Sequence, residues 1–122
     1  MDFNSILIGS EDPARLVAYY TRLFGEPAMS DESYAGWQIG SGFVSIGAHS
    51  GVTGRSAHPG RLIWNIETVD VQGTFARFRD AGAIVVAEPY ELGEVPGGGQ
   101  MWIATFADPD ENYFQLMSPF QT

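Results

Sequence analysis

From Phe3 to Ser10 (FNSILIGS) apolar and polar residues alternate, the period of a half-buried strand. The period then lengthens: Leu16, Tyr19, Tyr20, Leu23 and Phe24 recur at the spacing of one helix face. Asp12 precedes that run as an N-cap, Pro13 takes the first helical position, and Gly25 stops it. Short strands are predicted around Ala28–Ser30, Ala35–Ile39 and Phe43–Ala48, separated by Gly and Ser. After Arg61 the same order returns. LIWNIET reads as a strand, Asp70 as a cap, Val71, Phe75 and Phe78 as a helix face, and Gly82 as its stop. Strands follow at Ala83–Glu88, Met101–Phe106 and Tyr113–Met117. The separation of the two caps nearly equals that of the two stops, so two βαβββ modules repeat in register. They occupy about residues 1–48 and 61–119 of a single domain, and His49 to Gly60 (HSGVTGRSAHPG) has the composition of a linker. The class is α+β. Spacing alone also allows a ferredoxin-like split βαβ arrangement.

Composition narrows the functions. At 122 residues the chain can bury about two-thirds of its unfolded surface. It has no cysteine, hence no disulfide, thiolate nucleophile or zinc–thiolate site. The net charge of −9, with six Lys plus Arg, argues against nucleic acid and anionic membranes, both of which need basic side chains. An acidic field favours a cationic small molecule, or serves solubility alone. No apolar run reaches membrane-spanning length and Met1–Ser10 lacks a signal peptide's charged start, so a cytoplasmic protein is expected.

The run from Phe106 to Leu116, FADPDENYFQL, concentrates the strongest signal. Pro109 presets φ, Asp108 and Asp110 can bond back to the backbone, and both flanks read as strands, so DPDEN should reverse the chain. Together with the doubled module, this hairpin resembles the vicinal oxygen chelate superfamily of glyoxalase I, bleomycin-resistance proteins and extradiol dioxygenases. The resemblance covers essentially the whole chain. Those proteins commonly carry a DPDGN-type turn, and Glu111 stands here in the glycine position. A non-Gly residue is uncomfortable at positive φ, so the strain is expected to move to Asn112. The resemblance implies that the two modules form a curved mixed sheet with a ligand on its concave face and helices outside. It also implies a homodimer, and exposed sheet edges need covering in any case.

The same resemblance implies a divalent metal held by a His or Gln from each first strand and a Glu from each last strand. Alignment from the caps puts Ser5 at the first position and Ile63 at its equivalent, with Leu62 or Trp64 one residue away. Gln115 takes the closing Glu position, and module one offers only Ser45 or Gly47. Ser, Ile and Gly do not make a transition-metal site, so no metal or other cofactor is expected. The two histidines, His49 and His58, flank the linker as solvated residues or, alternatively, as ligands in a rearranged site.

Strand alternation puts Asn65 and Glu67 on the face of Ile63, groups Tyr113, Gln115 and Met117, and groups Ser5, Leu7 and Gly9. If these are the cavity faces, the pocket is mostly apolar with a few hydrogen-bonding groups, the usual make-up of a small-molecule site. Glu67 is then the candidate general base or counter-ion, against a solvated strand-end carboxylate. Trp64 is expected in the core, whereas Trp37 and Trp102 either line the cleft or pack as core. The GEVPGGGQ stretch (Gly93–Gln100) lacks a phosphate loop's Lys-Ser/Thr ending and reads as a mobile loop bordered by Glu88, Glu91 and Glu94.

The leading function is a metal-free small-molecule-binding protein of the bleomycin-resistance type, taking an aromatic or cationic compound. The first alternative is an enzyme (lyase, isomerase or dioxygenase) with an atypical metal site or acid–base chemistry at Glu67. The second is an accessory module with a vestigial cleft.

Overall fold

The structure is a computed structural model that describes residues 1–32, 34–94 and 100–120. The chain forms two compact units, Met1–Arg55 and Ser56–Thr122, whose boundary falls inside the segment 49–60. The first contains β1 (Ser5–Ser10), α1 (Pro13–Phe24), β2 (Met29–Ser30), β3 (Tyr34–Ile39) and β4 (Gly42–Ala48). The second repeats the order with β5 (Ile63–Glu67), α2 (Val71–Asp80), β6 (Ile84–Glu94), β7 (Gln100–Ala107) and β8 (Tyr113–Met117). Each unit has its own four-stranded mixed sheet, ordered β1-β4-β3-β2 and β5-β8-β7-β6. In each, the first strand runs parallel to the last and the remaining pairs are antiparallel. This is the βαβββ repeat of an α+β protein. A split βαβ arrangement would interleave both halves in one sheet, and these halves stay separate.

Local chemistry sets the helix ends. Asp12 accepts a hydrogen bond from the Arg15 N–H at 3.3 Å, and Asp70 Oδ1 accepts one from the Gly73 N–H at 2.9 Å. Each such cap stabilises its helix by about 1 kcal/mol. Gly25 (φ 85°) and Gly82 (φ 100°) leave the helices through the left-handed region, where a side chain would crowd the backbone. The buried stripe of α1, Leu16, Tyr19, Tyr20 and Leu23, accompanies buried Ile8, Ala35, Trp37, Val44 and Ile46 of its sheet. In the second unit Phe75 and Phe78 of α2 meet Phe106 at ring separations of 5.4 and 5.8 Å, and Phe106 stacks on Phe114 at 5.3 Å. Trp64 stacks on Phe114 at 5.3 Å and belongs to this cluster, as expected.

The DPDEN run reverses the chain between β7 and β8, but its strain sits elsewhere than expected. Glu111 itself adopts φ 65°, and it is the one non-glycine with positive φ among the described residues. The Glu111 N–H is held by the Asp108 carbonyl at 2.9 Å and the Asp108 N–H by the Asn112 carbonyl at 2.9 Å, so the closed turn fixes that dihedral regardless of the side chain. A left-handed conformation costs an L-residue roughly 1–2 kcal/mol, part of which glycine returns through its freer unfolded state. Glu111→Gly is therefore expected to stabilise the protein by about 0.5–1 kcal/mol, a rise of roughly 2–5 °C in Tm by calorimetry. A fall in Tm would mean that the glutamate side chain contributes more than its backbone costs.

β6 runs to Glu94, six residues beyond its expected end, because three register shifts let it continue along β7. Bulges and Pro89 suit an edge strand that must not recruit another. The loop expected at Gly93–Gln100 thus begins within β6, and its centre, residues 95–99, lies outside the described residues. Among the described residues no helix is long and apolar enough to cross a membrane.

Candidate functional site

Pleating gives each sheet a face toward its helix and a face away from it. In the first unit Ile6, Ile8 and Ser10 share the helix side with Val44, Ile46 and Ala48. Ser5, Leu7 and Gly9 lie on the far side beside Phe43, Ser45 and Gly47, joined there by Gln38, Gly36 and Tyr34 of β3. Leu7 is 57% exposed, which marks this face as uncovered within the unit. Two glycines make local hollows that neighbours fill. A Cβ at Gly36 would strike the Phe43 ring, and one at Gly9 would press on His49 Cβ and Val52 Cγ2 at 3.1 and 3.2 Å. The His49 Nδ1 accepts the Gly51 N–H at 3.0 Å, which ties that imidazole to its own turn.

The far face of the second sheet is richer in polar groups. The β5–β8 register sets Ile63 beside Tyr113, Asn65 beside Gln115, and Glu67 beside Met117. The β7–β8 register adds Ile103, Thr105 and Ala107 to the same face. Gln115 Nε2 donates to Thr105 Oγ1 at 3.0 Å. With its amide N–H engaged, Gln115 keeps its carbonyl oxygen as an acceptor for another molecule. Thr105 was absent from the sequence-based site, yet counting outward from the DPDEN turn pairs it with Gln115. Asn65 and Glu67 are exposed, whereas Ile63, Tyr113, Gln115 and Met117 are half-buried. This face therefore offers hydrogen-bond acceptors set among apolar surfaces.

Two tryptophans proposed for ligand contact lie elsewhere. Trp37 is on the helix side of β3 and 2% exposed, and its indole N–H donates to the Gly25 carbonyl at 2.8 Å. Its ring packs against Tyr20 and Phe24 with centroids 6.3 and 6.1 Å away. The reason is local: the carbonyl left over at the end of α1 needs a donor, and Trp37 supplies it from the strand below. Trp102 shares the side of Ala104 and Phe106, opposite to Gln115, and its backbone N–H donates to Ser118 Oγ at 3.0 Å.

The superfamily's metal positions can now be tested against the donors present. Ser5 and Ser45 or Gly47 share one face, and Ile63 and Gln115 share another, so the pattern of positions is kept while the chemistry is not. An alcohol, an alkyl group and a single amide oxygen make a poor set for a transition-metal ion, which takes imidazole, carboxylate or thiolate. Among the described residues no group of three or more His, Cys, Asp or Glu is arranged to hold a metal. These residues do not fit the ion.

A family model for the glyoxalase-like domain matches residues 5–117. No curated protein sequence matches the chain. Among solved structures, a glyoxalase-related enzyme from Fulvimarina pelagi is 17% identical, with 98% of this chain and 89% of that one covered at a TM-score of 0.69. A glyoxalase/bleomycin resistance protein/dioxygenase family enzyme from Burkholderia phytofirmans PsJN is 19% identical, with 98% and 100% covered and a TM-score of 0.71. A genomically encoded fosfomycin resistance protein from Listeria monocytogenes is 17% identical, with 98% and 94% covered and a TM-score of 0.65. At such identities these likenesses speak for the fold alone. The match over residues 5–117 identifies the family: the chain belongs to the glyoxalase-like domain family of the vicinal oxygen chelate superfamily.

Proposed function

We propose that this chain is a small-molecule-binding protein of the glyoxalase/bleomycin-resistance type that holds an aromatic or cationic compound without a divalent metal. The binding surface is the far face of the second sheet, with Ser5 and Leu7 supplying the equivalent surface in the first. What carries the reading is the acceptor set around Gln115, where a metal-binding relative needs a carboxylate. Gln115, tethered by Thr105, offers a carbonyl oxygen, Glu67 a carboxylate and Asn65 an amide, while Ile63, Met117 and the Tyr113 ring accept an apolar body. Acceptors on an acidic protein suit an ammonium or amidinium group on a flat ring.

Metal content and thermal stability test this reading together. The purified protein is expected to carry far less than one Ni, Zn, Mn or Fe per chain and to melt at the same temperature when each is added. Benzamidine or phenethylamine at about ten times its Kd should add roughly 1.4 kcal/mol, a rise of several degrees in Tm. Gln115→Ala should weaken that binding roughly two- to tenfold through one lost hydrogen bond. A specific metal at one per chain would overturn the metal-free reading. No response to either cation would remove this face as the site.

A further inference from the structure

The segment between the two sheets holds a second candidate site in the second unit. The Ser56 N–H donates to the Asp110 carbonyl at 2.7 Å, which pins the segment to the DPDEN turn. Five residues on, the Arg61 N–H closes a 3₁₀ turn over Pro59–Arg61 onto the His58 carbonyl at 2.9 Å. Between these anchors lies an open pocket of about 280 Å³, lined among others by Ser56, His58, Pro59, Arg61, Leu62 and Asn112. That is just below the roughly 300–1,000 Å³ usual for drug-sized ligands, which suits a small molecule.

The distribution of positive charge distinguishes this pocket. All six basic residues are arginines, set against 15 acids. Arg22 and Arg77 lie over the rings of Tyr19 and Phe78 at 5.6 and 5.1 Å, and Arg79 pairs with Asp80 at 3.2 Å. Arg15 and Arg55 have interactions of their own. Among the described residues no carboxylate or ring meets the Arg61 guanidinium, in contrast to those of Arg22, Arg77 and Arg79. It shares the pocket with His58, whose side chain caps nothing in the turn it precedes. Arg61 therefore lines the pocket together with His58 and Ser56, residue types that can all donate to an oxyanion. The planar fork of Arg matches an oxyanion in two-point contact, and His and Ser add donors. Pro59 and Leu62, the latter 77% exposed, provide an apolar flank. We propose that this pocket binds an organic oxyanion, a carboxylate or phosphate monoester with a small apolar group. Its charge preference is opposite to that of the sheet face, and it does not depend on that reading.

The chain's two histidines make the test direct, with His58 identified by the signal lost in His58→Gln. Imidazole resonances are followed by NMR at fixed pH and ionic strength while phenyl phosphate, benzoate, inorganic phosphate or benzylamine is added. Phenyl phosphate or benzoate should move the His58 signals saturably and leave those of His49 in place, and the tighter of the two names the head group. Inorganic phosphate should bind more weakly for want of the apolar flank, and benzylamine should leave His58 unmoved. Arg61→Gln, an exposed substitution that should keep the wild-type Tm, should reduce affinity at least tenfold. Joint movement of both histidines, absence of saturation, a His58 response to benzylamine, or unchanged affinity in Arg61→Gln would each overturn the proposal.

Discussion

Asp108→Ala should destabilise the protein by about 3–5 kcal/mol, read as a lower urea midpoint at unchanged slope. The carboxylate is 1% exposed and accepts the N–H groups of Asp110 at 2.8 Å and Asn112 at 3.0 Å. Both of its oxygens also accept from Asn112 Nδ2, at 3.2 and 3.0 Å. Alanine would leave these donors facing a void in a turn where Asp110 is itself buried, and hydrogen bonds to a charged acceptor are among the stronger ones in proteins. Asp108→Asn keeps one acceptor oxygen and should lose roughly half as much. The turn also sets the register that places Gln115 opposite Thr105, so whatever binds the sheet face should weaken in the alanine variant as well. A loss below about 1 kcal/mol would show that the two backbone bonds of the turn suffice alone.

The legible parts of this molecule were those written in local chemistry. Asp12 with Pro13, and Asp70, announce helices because an N-cap is satisfied within three residues. Gly25 and Gly82 announce their ends because few other residues tolerate φ near 90°. Period-two alternation likewise groups Asn65, Glu67 and Ile63 on one side of their strand, and Tyr113, Gln115 and Met117 on one side of theirs, since pleating is a property of the strand itself. What escaped depends on partners distant in sequence. Trp37 could be assigned to neither face until Gly25's carbonyl lay above it. β6 ran past its expected end because pairing with β7 continues through bulges that no propensity encodes. Strain was assigned to Asn112 because Glu is a poor left-handed residue, whereas the backbone bonds of a closed turn decide which dihedral is positive. His58 reads as a solvated linker residue until the pocket it shares with Arg61 is seen.

Trp37→Ala, the other large effect, separates the two roles this residue could have. The indole is 2% exposed, lies among Tyr20 and Phe24, and donates to the carbonyl that ends α1. Removing it opens a cavity under the helix and leaves that carbonyl without its donor. The cost should be about 3–5 kcal/mol, a large share of the 5–15 kcal/mol typical of a whole domain. Since that variant can unfold outright, Trp37→Phe makes the sharper comparison. Phenylalanine retains most of the ring contact and lacks the N–H, so the expected loss is about 1–2 kcal/mol. Ligand affinity of the folded Trp37→Phe protein should stay within about twofold of wild type, because the ring lies on the helix side of the sheet and Gln115 with Glu67 on the far side of theirs. A stability loss with affinity intact is what a core tryptophan gives. An affinity loss with stability intact would return Trp37 to the ligand and require a different arrangement of the first sheet.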